Sequence, residues 1–225
     1  MQIIGIIVAM EKELKLLLPL LSHKSEIEIN NRVFYRGRVA DTEVVVAQCG
    51  IGKVNAAVTA LTMIENFHVR LLINTGVAGG TGNGAGVLDV VVADRVAYHD
   101  VWCGPGTVRG QASDCPAFFV TADADRVATH VPGVKTGLIA SGDIFVSKPE
   151  EVRAIRELYP DAMAVDMESA ALAQVCFMKS VPFMVIRVIS DTPGEADNIS
   201  QYNSFWDDAP KSTFEVLKRI LNVLQ

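Results

Sequence analysis

The feature that most limits what this chain can fold into is a set of three near-continuous apolar runs, at 2–9 (QIIGIIVA), 70–77 (RLLINTGV) and 182–189 (PFMVIRVI). Each is far shorter than the ~20 apolar residues of a bilayer-spanning helix. None alternates as a strand with one wet face does, so each reads as a strand covered on both faces. Between them the spacing turns helical. Residues 11–18 place Leu14, Leu17 and Leu18 on one face, and Pro19 ends or kinks that helix. Further helices are expected at 53–66, 149–158, 167–178 and 210–224, the last with Phe214, Leu217, Leu221 and Leu224 on one face.

Further strand character is expected at 87–99, and short strands at 136–141 and 163–166. Segments 26–30, 32–39 and 42–48 read as an antiparallel meander with turns at Asn30-Asn31 and Asp41. Residues 101–119 and 192–204 read as loops. Strands alternating with helices imply an α/β sheet covered by helices, and the meander makes that sheet mixed. No linker or repeat divides the chain, so residues 1–225 are expected to form a single domain.

Composition narrows the function. Half of the 225 residues are hydrophobic, enough for a sizeable core. The net charge of −6 offers no basic surplus for nucleic acid or an anionic membrane. The first strand has no basic leader and no small-residue cleavage site, so a cytoplasmic protein is expected. Cys49, Cys103, Cys115 and Cys176 are scattered without a CxxC pair and read as buried thiols. His23, His68 and His130 read as surface residues, and no HxH or HxxxH suggests zinc.

In open α/β sheets ligands sit beyond the carboxyl ends of the strands. That rule selects Met10–Glu13, Gly50–Lys53, Thr75–Gly80, Ser141–Phe145, Asp166–Glu168 and Ser190–Asp191. Each acid alone reads as a helix N-terminal charge or cap; three converging on one sheet edge read as a site. The glycine-rich stretches do not carry a phosphate loop: AQCGIGKV lacks the first glycine of that motif and has Val54 for the magnesium-binding hydroxyl, and GGTGNGAG never gives GxGxxG. Their glycines serve tight turns or close backbone approach to a flat ligand. His99-Asp100 with Ser141 would be a hydrolase triad, but GxSxG is absent. Asp207-Asp208 reads as a charge pair at a helix start.

Taken in order, AMEKE (9–13), GIGKV (50–54), NTGVAGG (74–80), SGDIF (141–145), VDMESAA (165–171) and RVISD (187–191) resemble the 5′-methylthioadenosine/S-adenosylhomocysteine nucleosidases of the purine nucleoside phosphorylase-like superfamily. The resemblance spans about residues 2 to 224. It implies a single α/β domain with a mixed, partly barrel-like sheet, a homodimer, a small-molecule nucleoside substrate, and no metal or organic cofactor. The implied reaction is hydrolysis of the N-glycosidic bond of methylthioadenosine, S-adenosylhomocysteine and 5′-deoxyadenosine, releasing adenine.

Carried over by motif, Glu13 is the base that activates water and Asp191 the acid that protonates adenine N7, oriented by Ser190. Glu168 takes the ribose hydroxyls and Met167 packs under the sugar. Arg187 lies near water and ribose. Phe145 stacks on adenine while the Val146 backbone reads its edge. Met10 and Ile51 line the pocket. Tyr202 and Phe205, in the polar loop before the last helix, cover the 5′ substituent, and residues 102–118 reach a partner's pocket. Val77 departs from the pattern, standing where many members have serine.

The chemistry agrees: glycoside cleavage needs a proton for the leaving base and a water on the opposite face of the sugar, with carboxylates stabilising the cationic sugar. Desolvation after the run FMVIRVIS is expected to raise the pKa of Asp191 and keep its proton, while Glu13 stays ionised. Three rivals stand beside this reading. A nucleoside phosphorylase would need cations where Met10–Glu13 offers two acids and one lysine. A futalosine-type hydrolase would run the same chemistry on another 5′ group. A non-enzymatic nucleoside-binding protein would not require all three acids.

Overall fold

A computed structural model describes residues 3–208 and 210–224, and their side chains outside 207–215. The apolar runs form β1 (Ile4–Val8), β5 (Leu71–Gly80) and β10 (Phe183–Asp191). All five residues of β1 and all nine of β10 are buried, as two-sided coverage requires. β1 lies parallel between β5 and β4 (Thr42–Gln48). The meander continues outward from β4 to β3 (Arg32–Val39) and β2 (Ser22–Ile29), both antiparallel. β2 starts four residues earlier than expected: its stretch SHKSE is polar because it is an exposed edge.

The other side of β5 closes on itself. β5 pairs in parallel with β10, and β10 antiparallel with β6 (Val90–Tyr98). β6 then runs parallel to β8 (Val134–Ser141), and β8 to β9 (Ala162–Asp166). β9 returns to β5 through Gly79↔Val165 and Gly80↔Ala164. The result is a five-stranded barrel with a four-strand extension, in one α/β domain. A two-residue β7 (Phe119–Val120) adds to β6, and 101–118 is irregular as expected.

Helices cover both faces. α2 (Lys53–Phe67) and α5 (Ser169–Lys179) pack on one side, over a core that includes Met63, Leu72, Ile139 and Leu172. α1 (Glu11–Leu17), α3 (Ala124–His130) and α7 (Pro210–Val223) cover the other, where Leu217, Leu221 and Leu224 meet Ile4, Ile6 and Ile73. Phe214 and Asp207-Asp208 lie outside the described side chains. α4 (Pro149–Leu158) matches expectation, and α3 was not anticipated.

The loop expected at 192–204 is corrected: α6 spans Asn198–Asp208. Its apolar residues Ile199, Tyr202, Phe205 and Trp206 stand at helical spacing, but they are few among polar neighbours and give only a weak signal. Cys49, Cys115 and Cys176 are buried, whereas Cys103 is exposed in the long loop; all four are free thiols. His23, His68 and His130 are exposed.

Candidate active site

All six segments that follow the strands contribute to one cleft of about 610 Å³, counted to its open mouth. That size is typical of small-molecule sites. Glu13, Asp166, Glu168 and Asp191 line it, together with Met10, Ile51, Val77, Phe145, Val146, Met167, Ser190 and Tyr202. No lysine or arginine stands among the described lining residues.

Glu13 sits in the first turn of α1, where it reaches back to the N-terminus of its own helix. Its Oε2 accepts the backbone N–H groups of Ala9 and Met10, both at 2.9 Å. Its Oε1 accepts the N–H of Val77 at 3.1 Å. The bond to Met10 is half of a capping box, so the helix-cap reading and the site reading are both realised. A carboxylate offers about four lone-pair positions. Oε2 is therefore filled, and Oε1 keeps one direction free for a water. Gly76 makes room for this, because a Cβ there would collide with Oε1. Burial raises the pKa of Glu13, against the Met10, Val77 and Ala9 N–H groups and the nearby Arg187 charge. A raised pKa strengthens the ionised group as a base.

Asp191 owes its direction to a bulge. Neighbouring residues of a strand point to opposite faces, yet Ser190 and Asp191 both line the cleft. The β10–β5 register shifts between Ile189 and Asp191, which turns the second side chain inward. Ser190 Oγ is 2.5 Å from Asp191 Oδ1 and 3.2 Å from the Ala78 carbonyl. Asn198 Nδ2 donates to Oδ2 from the start of α6. Burial raises the pKa of Asp191 despite these two partners, as the desolvation argument expected.

Glu168 precedes α5 and accepts the Gly52 N–H on Oε1 at 2.9 Å. Burial first, then the charge of Asp166, push its pKa up to about 7, with Arg187 and the Gly52 N–H opposing. Its other oxygen has no protein donor among the described bonds, so it is available to a ligand hydroxyl.

Arg187 does not reach the cleft wall, although the resemblance places it near water and ribose. It is 2 % exposed and sits behind the wall. Its Nε and a terminal nitrogen donate to Asp166 Oδ2 at 2.9 and 2.7 Å, and that nitrogen also donates to Asn74 Oδ1. Asp166 Oδ1 in turn holds the Ser169 N–H and hydroxyl at the start of α5. Arg187 thus acts on Glu13 and Glu168 through its charge rather than by contact.

Tyr202 lines the cleft and meets the Phe145 ring edge-on, with centroids 5.7 Å apart. Phe205, expected beside it, instead packs behind the wall against Val188. Both belong to α6, not to a loop. Val77 and Trp206 join that cluster. The hydrolase triad is absent: His99 Nε2 and Ser141 Oγ are both buried without a hydrogen-bond partner. Among the described residues no three His, Cys, Asp or Glu side chains converge on a metal position.

Sequence reasoning missed Asn198, Asn74 and the structural role of Asp166. Asn198 and Asn74 have no local signature, because their partners lie across a turn or on another strand. Asp166 stood at a strand end and carried a signal, but not one that pairs it with Arg187.

Comparison with known proteins is consistent along the whole chain. A family profile described as the phosphorylase superfamily matches residues 3–222. The 5′-methylthioadenosine/S-adenosylhomocysteine nucleosidase of Listeria monocytogenes serovar 1/2a is 38 % identical, covering 98 % of this chain and 99 % of that protein. The structure of such a nucleosidase from S. pneumoniae, bound to a transition-state inhibitor, superposes with a TM-score of 0.94 at 34 % identity and covers 100 % of both chains. Futalosine hydrolase of Helicobacter pylori superposes at 0.90 and 30 % identity, covering 98 % of this chain and 97 % of that one. With its fold, its four cleft acids and its full-length similarity in agreement, the chain belongs to the phosphorylase superfamily, in its 5′-methylthioadenosine/S-adenosylhomocysteine nucleosidase family.

Proposed function

We propose that this protein hydrolyses the N-glycosidic bond of 5′-methylthioadenosine and S-adenosylhomocysteine, and also of 5′-deoxyadenosine, releasing adenine. The observation that carries the reading is the cleft lining of four carboxyl groups and no cation. Such a wall repels phosphate and favours a cationic sugar, which separates hydrolysis from phosphorolysis.

Asp191, whose pKa burial raises, gives its proton to the leaving adenine. Glu13 takes a proton from water on the free side of Oε1. Glu168 accepts the ribose 2′- and 3′-hydroxyls, and Met167 packs under the sugar. Phe145 stacks on adenine, with the Val146 backbone at its edge. Met10, Ile51 and Tyr202 surround the 5′ group. Arg187 tempers the repulsion among the acids. The chemistry as drawn needs no metal or organic cofactor.

A homodimer fits the surface. Val54, Val58 and Leu61 on α2, Phe177 and Met178 on α5, and Trp102, Val108 and Phe118 in the long loop are exposed apolar side chains. Exposed apolar surface of this kind favours a protein–protein contact, and in the homodimer reading residues 101–118 reach the cleft of a second copy. The products suit methionine salvage in the cytoplasm. No described helix is long and apolar enough to cross a membrane.

Incubating the purified protein with methylthioadenosine in phosphate-free buffer tests the reaction. Adenine and free methylthioribose are expected. Strict dependence on phosphate, with a sugar 1-phosphate product, would overturn the proposal. Faster release of hypoxanthine from futalosine than of adenine would favour the related hydrolase.

A further inference from the structure

Outside the cleft, the end of β6 carries a hydrogen-bonded circuit that the reaction above does not use. Asp100 Oδ2 accepts the Lys53 ammonium at 2.9 Å and the backbone N–H of Asp143 at 2.8 Å. Asp143 Oδ1 accepts the backbone N–H of Lys53 at 2.8 Å. The next residue back, Gly52, donates its N–H to Glu168. The residues after Asp143, namely Ile144, Phe145 and Val146, line the cleft.

Two further contacts hold the corner. The Gly142 N–H donates to the Asp166 carbonyl at 3.0 Å, and the His99 N–H to the Ser141 carbonyl at 3.0 Å. Gly142 is pressed so closely by the His99 ring and the Asp100 carboxyl that a Cβ would not fit. Although the Asp100 residue lies at the surface, its side chain is only 15 % exposed. Burial pulls its pKa upward, but Lys53 and the Asp143 N–H outweigh that and hold it below its ordinary value, keeping it ionised.

We infer that Asp100 is a positioning residue for substrate recognition, fixing through Asp143 and the Gly52–Lys53 turn both the loop that bears Phe145 and the carboxylate of Glu168. This rests on the nucleosidase reading for what those two groups bind. Asp100 touches no reacting atom. Glu13 and Asp191 are held by other elements, so the chemical step is spared while binding of base and ribose is not.

The test compares Asp100→Ala, Asp100→Asn and Asp143→Ala. Asp100→Ala should raise KM for methylthioadenosine and weaken adenine binding, measured separately by calorimetry, each roughly tenfold, the scale of one charge-assisted hydrogen bond. Its kcat should stay within about threefold. Asp143→Ala should do the same, and the double variant should be no worse than either single one, because both break one circuit. Asp100→Asn keeps an oxygen for the Asp143 N–H and should recover part of the loss. Should Asp100→Ala fail to fold, Asp100→Asn and Asp143→Ala carry the comparison. Unchanged KM and adenine affinity in folded variants, additive losses in the double variant, or a loss confined to kcat would overturn the inference. A wild-type protein that releases no adenine from any 5′-substituted adenosine would instead overturn the nucleosidase reading.

Discussion

Asn198 Nδ2 donates to Asp191 Oδ2, so the first residue of α6 holds the carboxyl group at the end of β10. Helix and proton donor are thereby one unit. The bond favours the ionised form of Asp191, whereas burial favours the neutral form, and burial prevails.

Removing Asn198 should therefore leave Asp191 protonated to still higher pH. The alkaline limb of kcat/KM against pH, which marks loss of the acid's proton, should move upward in Asn198→Ala. The rate on the plateau should fall about tenfold, because the carboxyl loses its orientation. A pH–rate profile of the variant checks this. A limb that stays put or moves down would show that Asn198 does not tune this acid.

Gly76 and Glu13 give a paired prediction. Glu13→Gln should lower kcat by roughly 10²-fold or more, the usual scale of lost base catalysis. Removing a buried charge favours folding, whereas the new NH2 group faces the Val77 N–H, so the melting temperature should shift only a few degrees. Gly76→Ala, which drives Oε1 from its position, should lower kcat on a similar scale with Glu13 intact. Combining the two should cost little beyond Glu13→Gln alone. Near-wild-type turnover in Gly76→Ala would mean the water is not held at Oε1.

What the sequence makes legible follows from locality. β1, β5 and β10 are visible because burial on both faces leaves an unbroken apolar run. The six strand ends are visible because each run has an evident stop, and all six line the cleft. Barrel closure through Gly79↔Val165 is not visible, since two residue pairs 84 and 86 positions apart leave no period. α6 hides because it covers the cleft with few apolar side chains. Asn198, Asn74 and Asp100 hide for one reason: an ordinary polar residue becomes informative only when its partner is known.

Glu168 ties stability to pH. Its folded-state pKa stands at about 7 against an ordinary 4.5, so ionisation is harder in the folded protein. The associated stability is fully present below about pH 4.5 and is lost as pH rises through about 7, on the order of 3 kcal/mol. Glu168→Gln should flatten the fall in melting temperature between pH 5 and 8. Thermal melts across that range decide it, and an equally steep fall in the variant would assign the effect to other groups.

Assembly is tested on the α2 face. Sedimentation equilibrium should give about twice the 24.3 kDa chain mass. Leu61→Glu, on the exposed face shared with Val54 and Val58, should yield monomers. Those monomers should bind S-adenosylhomocysteine more weakly, having lost the second copy's loop over the 5′ group. A wild-type protein that is monomeric and fully active on dilution would remove both the dimer and the shared cleft.

Val77 contributes two separable things. Its backbone N–H holds Glu13 Oε1, and any residue except proline would supply that bond. Its side chain borders the cleft and packs with Val188 and Phe205. In Val77→Ser the base therefore stays in place. Two methyl groups leave a half-buried contact, which should cost ~1 kcal/mol and a melting temperature lower by about 2–4 °C in a chain of this length. The new hydroxyl faces the cleft, not sealed core, so it can reach the water beside Oε1 instead of standing unpaired. One added net hydrogen bond there should raise kcat/KM for methylthioadenosine by up to about tenfold. Kinetics and melts of the single variant decide between the two contributions: a fall in kcat/KM together with the lower melting temperature would leave Val77 as a packing residue whose hydroxyl replacement finds no partner.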